Sequence, residues 1–239
     1  MSNPKIAIGY ILGDMVDGPF MNSVLRFLEF DGRNRKLTMG AGFHKALYLD
    51  DKRNELVRDF LKINADYLMM VDSDIEWEPE NIYQLIDEAE QNGRDILTGL
   101  YFSFLDHNNA IPYPVWFSEI REGGSLVSFG SFKPGEVIVP LVACGMGFTL
   151  IRRTVFERMA EVPEWRDDDW TWFGRDKLIW QGVPKHYGED TCFCVRAGKI
   201  GIKTWGHKGV FVRHHKKTPI DFNLFRALVE QAKTDGRIV

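Results

Sequence analysis

Short apolar runs alternate with helically spaced apolar residues through the first hundred positions, and that alternation leaves few folds open. Ile6–Leu12 is a nearly continuous apolar run, and Phe20, Val24, Phe27 and Leu28 then recur at helical spacing. Leu56, Phe60 and Ile63 repeat the helical pattern before a second run, Tyr67–Val71. Ile82, Leu85, Ile86 and Ala89 mark a further helix, with Pro79 near its start, and Ile96–Tyr101 is a third run. A strand apolar along its whole length is buried on both faces. Such strands in alternation with helices predict an α/β domain with a mostly parallel central sheet flanked by helices. The 239 residues suffice for one such domain with a sizeable core, and they show no repeat or linker, so residues 1–239 are expected to form a single domain.

The second half is less regular. Val137–Ala143 reads as a strand ending in the turn Cys144-Gly145-Met146-Gly147, and Thr154–Ala160 as a short helix. A helix is expected to begin near Gly188-Glu189-Asp190. Lys203–Trp205 and Val210–Arg213 read as short strands, and Asp221 as the cap of a last helix carrying Phe222, Phe225 and Leu228. Trp165, Trp170, Trp172, Phe173 and Trp180 lie among charges and glycines.

Charge and cysteine usage exclude several classes. The net charge of −4 does not suit a protein whose primary ligand is nucleic acid or an acidic membrane. The apolar stretch Val137–Ile151 is too short to span a bilayer and is interrupted by Pro140, Gly145 and Gly147. The first residues lack the basic start and cleavage site of a signal peptide. Three cysteines, Cys144, Cys192 and Cys194, make no disulfide framework, and a reducing, cytoplasmic location is expected.

Asp72-Ser73-Asp74 directly follows the second apolar run. A D-x-D pair is weak on its own, because a chain with this aspartate content holds about one or two by chance. Asp167 and Asp169 form another here. Position separates them: ligands of open α/β sheets bind outside the carboxyl ends of the strands, where Asp72 and Asp74 are expected. Adjacent carboxylates repel unless a cation lies between them, and a divalent metal supplies one. Lys199–Lys217 carries six Lys or Arg, no acidic residue, and His207, His214 and His215. That charge suits a polyphosphate, and a histidine after a short strand can add an imidazole to carboxylate ligands, a set that suits Mn²⁺ or Mg²⁺. Glu189 and Asp190 at a helix start are candidate general bases, since the free N–H groups there favour a carboxylate. Trp172 is the aromatic residue expected to meet a sugar or acceptor.

Taken in order, these segments resemble the GT-A fold glycosyltransferases, in particular the family-2-like group of bacteria and phages. Arg53-Asn54-Glu55-Leu56-Val57, Phe60-Leu61 and Tyr67–Asp74 are similar to that family's R-N-x-L-V, F-L and D-x-D block. Gly145-Met146-Gly147-Phe148 with Ile151-Arg152-Arg153 resembles its glycine-rich acceptor-side segment. Gly188-Glu189-Asp190 with Phe193-Cys194 and Arg196-Ala197-Gly198 resembles its E-D helix, and Val210–His214 its strand ending in a metal-binding histidine.

The resemblance implies a GT-A, Rossmann-like fold with a smaller mixed-strand acceptor-side region. It divides the chain into a nucleotide-sugar-binding half (1–105), an acceptor and catalytic half (106–217) and a C-terminal helix (218–239). It implies Asp74 and His214, with Asp72, at a metal; Tyr10 beside the nucleobase; and Arg53, Asn54, Asp72, Ser73 and Asp74 around the nucleotide-sugar. Gly145 and Trp172 are implied on the acceptor side, and Asp190, or alternatively Glu189, as the base. His215 remains an alternative to His214. The implied reaction moves a sugar from a nucleotide diphosphate donor, expected to be a UDP-sugar, to a hydroxyl of a protein, glycan, lipid or small-molecule acceptor, with inversion. A metal-dependent nucleotidyltransferase and a non-catalytic nucleotide- or sugar-binding module are the competing classes.

Overall fold

The computed structural model describes residues 3–12, 16–44, 48–106, 109–130, 135–166, 171–174, 177–180, 183–215 and 219–235. Asp167, Asp169, Trp170, Lys216 and Lys217 lie outside the described residues, as does the side chain of Trp180.

A seven-stranded sheet forms the centre, in the order Ile138–Leu141, Thr204–Phe211, Ile96–Leu100, Phe148–Arg152, Tyr67–Asp72, Ile6–Ile11, Thr38–His44. Five strands run one way. Phe148–Arg152 lies antiparallel to both neighbours, and Ile138–Leu141 is antiparallel at the edge. The sheet is therefore mostly parallel.

Among the described residues seven α-helices accompany it: α1 (Gly18–Arg33), α2 (Leu49–Lys62), α3 (Pro79–Asn92), α4 (Arg153–Ala160), α5 (Pro163–Arg166), α6 (Glu189–Lys199) and α7 (Phe222–Thr234). Local chemistry sets several ends. In α3, Pro79 opens the first turn, Glu78 and Asn81 form a capping box, and Gly93 closes the helix at φ +62°. In α7 the Asp221 carboxylate accepts the Leu224 N–H at 2.9 Å.

The period of two along each strand divides the core. Ile6, Ile8 and Tyr10, with Tyr67, Met69 and Val71, pack on one face against Phe20, Val24 and Phe27 of α1 and Ile82, Leu85 and Ile86 of α3. Ala7, Ile11, Leu68 and Met70 face the other way, toward Leu56, Val57 and Phe60 of α2, Phe156 of α4 and Phe193 of α6. The α2 helix approaches so closely that a Cβ on Gly9 would lie 2.1 Å from the Leu56 side chain.

The second half departs from expectation in its ladders. Val137–Ala143 is split: Ile138–Leu141 joins the main sheet, while Ala143–Cys144 pairs with Trp116–Ile120, which also pairs with Leu126–Ser128. The two strands expected over Lys203–Arg213 are largely one, Thr204–Phe211, with an irregularity between His207 and Phe211.

Candidate active site

The site starts at neighbouring strand ends. Asp72 is the last residue of its strand, and its N–H donates to Gly147 O at 3.0 Å. Ser73 N–H donates to Ile11 O at 3.1 Å, which fixes the D-x-D turn to the end of the first strand. Tyr101 directly follows Ile96–Leu100. These residues occupy the carboxyl edge, where open α/β sheets bind their ligands.

Asp74 meets His214 across 140 residues of sequence, with Nε2 3.2 Å from Oδ2. A short ladder brings them together: Ile75–Glu76 pairs antiparallel with Arg213–His215, His214 opposite Ile75, and His215 N–H donates to Asp74 O at 2.7 Å. Pro219–Ile220 closes the other side of this small sheet. His214 Nδ1 lies 2.9 Å from Phe102 O. A carbonyl only accepts, so Nδ1 donates to it, and an unprotonated Nε2 would face the Asp74 carboxylate as a second acceptor. Two acceptors in that position call for a cation, either a proton or a metal. His215 goes elsewhere, its Nε2 2.7 Å from Glu76 Oε2.

Asp72 turns away from this pair. Arg53 Nη2 is 3.3 Å from both of its carboxylate oxygens, and Arg53 Nε is 3.5 Å from Glu189 Oε1. Arg53 is only 2% exposed. Burial disfavours its charge, but Asp72, Glu189 and Asp190 more than offset that and raise its pKa. Beside Glu189, in the first turn of α6, Asp190 accepts the Thr191 N–H at 2.6 Å. Burial, then the Glu189 carboxylate, push its pKa up to about 6, against the opposing pull of Arg53. A carboxyl poised there exchanges protons near neutrality.

Tyr101 joins the parts. Its hydroxyl accepts the Gly147 N–H at 3.0 Å, and its ring stands edge-on to His214 with centroids 5.5 Å apart. A Cβ on Gly145 would lie 2.3 Å from that hydroxyl, so the glycine turn is dictated by its close approach to the phenol. Sequence reading passed over Tyr101. The available signal was its position, one residue past an apolar strand at the ligand-binding edge.

Among the described residues no group of three His, Cys, Asp or Glu side chains is placed to hold a metal. The expected set of Asp72, Asp74 and His214 is thus divided, because Asp72 pairs with Arg53. Asp74 and His214 still present a carboxylate and a fixed imidazole lone pair, donor types that suit Mn²⁺. They fit a metal that takes its other ligands from substrate or water.

Other expected site residues are used differently. Asn54 is fully buried: its Nδ2 donates to Asp50 O (2.9 Å) and Phe173 O (2.6 Å), and its Oδ1 accepts from Trp172 N (3.2 Å) and Phe173 N (3.1 Å). That exhausts the amide's capacity and makes Asn54 a staple between α2 and the 171–173 segment rather than a nucleotide contact. Trp172 is 6% exposed, its indole N–H donating to Phe156 O at 2.9 Å, so its ring is a core side chain rather than an open platform. Tyr10 is fully buried, edge-on to Phe20 at 5.4 Å and stacked on Trp77 at 6.5 Å, which removes it from an open nucleobase edge. Gly145 is buried beneath Tyr101. The basic stretch is not one surface either. Lys208 pairs with Glu136 at 2.9 Å and Arg213 with Glu76 at 3.1 Å. Lys199 and Lys203 border a groove of about 430 Å³ at the opposite edge of the sheet, where Thr204 begins its strand beside Ile96.

Residues 55–159 match a family model described as Glycosyl transferase family 2. A search of curated protein sequences finds no match. Among solved structures, A197 from STIV superposes with a TM-score of 0.56 at 14% identity, over 91% of this chain and 93% of that one. GalNAc-T7, solved with UDP, GalNAc and Mn²⁺, superposes with a TM-score of 0.55 at 10% identity, over 95% of this chain but 48% of its own length. The chain therefore has the GT-A fold. The matched segment runs from α2 through the D-x-D strand to α4, and its similarity to that family, together with the fold, supports glycosyl transfer. Among the described residues no helix is long and apolar enough to cross a membrane.

Proposed function

We propose that this glycosyltransferase takes its sugar from a nucleoside diphosphate donor, a UDP-sugar being the expected one, with Mn²⁺ or Mg²⁺ held by Asp74 and His214. The observation that carries this reading is the 3.2 Å approach of His214 Nε2 to Asp74, with Nδ1 fixed on Phe102 O. The fold relative GalNAc-T7 holds UDP, GalNAc and Mn²⁺ together, which supports the same partners here. When bound, the metal supplies positive charge against the charge developing on the departing diphosphate.

The chain's own residues supply the rest. Asp72, oriented by Arg53, and Ser73 face the donor's ribose at the strand end. Asp190 accepts the proton of the acceptor hydroxyl as its oxygen bonds to the anomeric carbon. The bond from that carbon to the diphosphate breaks on the opposite face, so configuration inverts. Glu189 is paired with Arg53, which leaves Asp190 as the base. Residues 1–105 serve as the donor half and 106–217 as the acceptor and catalytic half, with the C-terminal segment 218–239 carrying helix α7. The acceptor is a hydroxyl of a protein, glycan, lipid or small molecule. Three buried free thiols suit a reducing compartment, and we place the protein in the cytoplasm.

A panel of nucleotide-sugars with Mn²⁺, scored for binding and slow hydrolysis, tests the reading. One UDP-sugar should bind and release UDP, and chelator should abolish both. Release of pyrophosphate, or binding indifferent to chelator and to His214→Ala, would defeat it.

A further inference from the structure

We propose that Arg53 is a positioning residue: a buried guanidinium that ties the D-x-D strand to the N-terminus of the base helix α6 and holds Asp190 in its working orientation. This rests on the glycosyl-transfer reading above and gives Arg53 a role other than donor contact. At 2% exposure it has almost no surface to offer a ligand. Its contacts run to two elements instead: Asp72 at 3.3 Å, on the central sheet, and Glu189 at 3.5 Å, in the first turn of α6.

The guanidinium is held from behind. It lies 5.9 Å from the Phe173 ring centroid, and that ring stacks on Phe193 of α6 at 4.5 Å with an interplanar angle of 8°. The next residue, Asn54, binds the Phe173 backbone through both ends of its amide. Arg53 is thereby fixed to α6 twice, through Phe173 and through Glu189. Its Nη1 is buried without a hydrogen-bond partner, so a donor is available to a carboxylate that closes in. Lysine has neither the planar fork nor the ring stacking needed to repeat this arrangement.

Among the described residues, the charged and titratable groups around Asp190 are Arg53 of α2, Asp72 of the central strand, Glu189 and Cys192 of α6, Tyr101, Tyr113 and Cys144. Arg53 is the cation among them. Its removal therefore leaves Asp190 beside two carboxylates, and the proton should be held more tightly.

The test uses the full chain with Arg53→Lys and Arg53→Met. NMR of the Asp190 carboxyl follows its titration without substrate, and donor hydrolysis follows kcat and KM. The Asp190 midpoint should rise from about 6 by about one pH unit or more in Arg53→Met, a tenfold loss of ionised base at pH values below about 6, with Arg53→Lys between. Turnover measured below about pH 6 should fall about tenfold or more while donor KM changes much less. Should Arg53→Met not fold, the double variant Arg53→Met/Glu189→Gln is compared with Glu189→Gln alone, so that a rise of the Asp190 midpoint between those two reports the loss of Arg53. An unmoved Asp190 midpoint, or a raised donor KM at unchanged kcat, overturns the proposal. If the wild type binds and hydrolyses no nucleotide-sugar, the donor reading fails, while the substrate-free titration still decides the role of Arg53.

Discussion

The candidate site holds two acidic pairs, one at the end of a strand and one at the start of a helix, and each is divided in the same way. At the strand end Asp72 goes to Arg53 and Asp74 to His214. At the helix start Glu189 goes to Arg53, while Asp190 retains its proton up to about pH 6. One buried cation thus neutralises a member of each pair and leaves the other for chemistry. Two carboxylates in sequence therefore do not amount to two equivalent ligands or two equivalent bases. The neighbouring helix decides which member the buried arginine takes.

Breaking the helix-start pair should have the largest effect. Asp190→Asn should lower turnover by about 10²–10⁴ with little change in donor affinity, measured by single-turnover kinetics and donor titration. Wild-type rates would remove Asp190 from the reaction. The strand-end pair comes next. Losing an imidazole ligand should exceed the roughly 10–100-fold loss of metal affinity typical of outer-shell changes. His214→Ala should show this by Mn²⁺ titration, and His215→Ala should change affinity much less.

The two pairs should also separate by pH. Asp190's raised pKa means that the base is protonated below about pH 6, so kcat/KM should fall about tenfold per pH unit beneath that value. The same sign applies to stability. A carboxyl whose pKa is raised on folding favours the fold while protonated, and that contribution is lost as pH rises through about 6. The smallest functional effect is expected at Trp172. Trp172→Ala should cost about 3–5 kcal/mol of stability by denaturant titration. Its donor KM should remain close to wild type at temperatures where the variant is folded.

The first hundred residues were legible because each apolar run is buried on both sides and each helix is long enough to show its period. Asp72 and Asp74 were legible for the same reason, since the end of a buried strand is a place as well as a pattern. Direction was not legible. Phe148–Arg152 is as apolar as its neighbours, and nothing in its composition says that it inserts antiparallel between two parallel strands. Trp172 and Asn54 misled for a shared reason. Charges and glycines around a tryptophan suggest exposure, but one buried amide four hydrogen bonds strong draws the 171–173 segment into the core. The resemblance placed Arg53 beside the nucleotide-sugar. Its actual anions belong to the chain itself.

The tandem histidine gives the short ladder beside Asp74 an uneven tolerance of error. Removal of one residue from the turn between Phe211 and Arg213 would bring His215 opposite Ile75, and an imidazole would still arrive at the carboxylate. Addition of one residue there would deliver Arg213 instead, a permanent cation where a lone pair is required. Length variation at this corner should therefore be survivable in one sense only, and shortened chains should retain traces of metal response that lengthened ones lack.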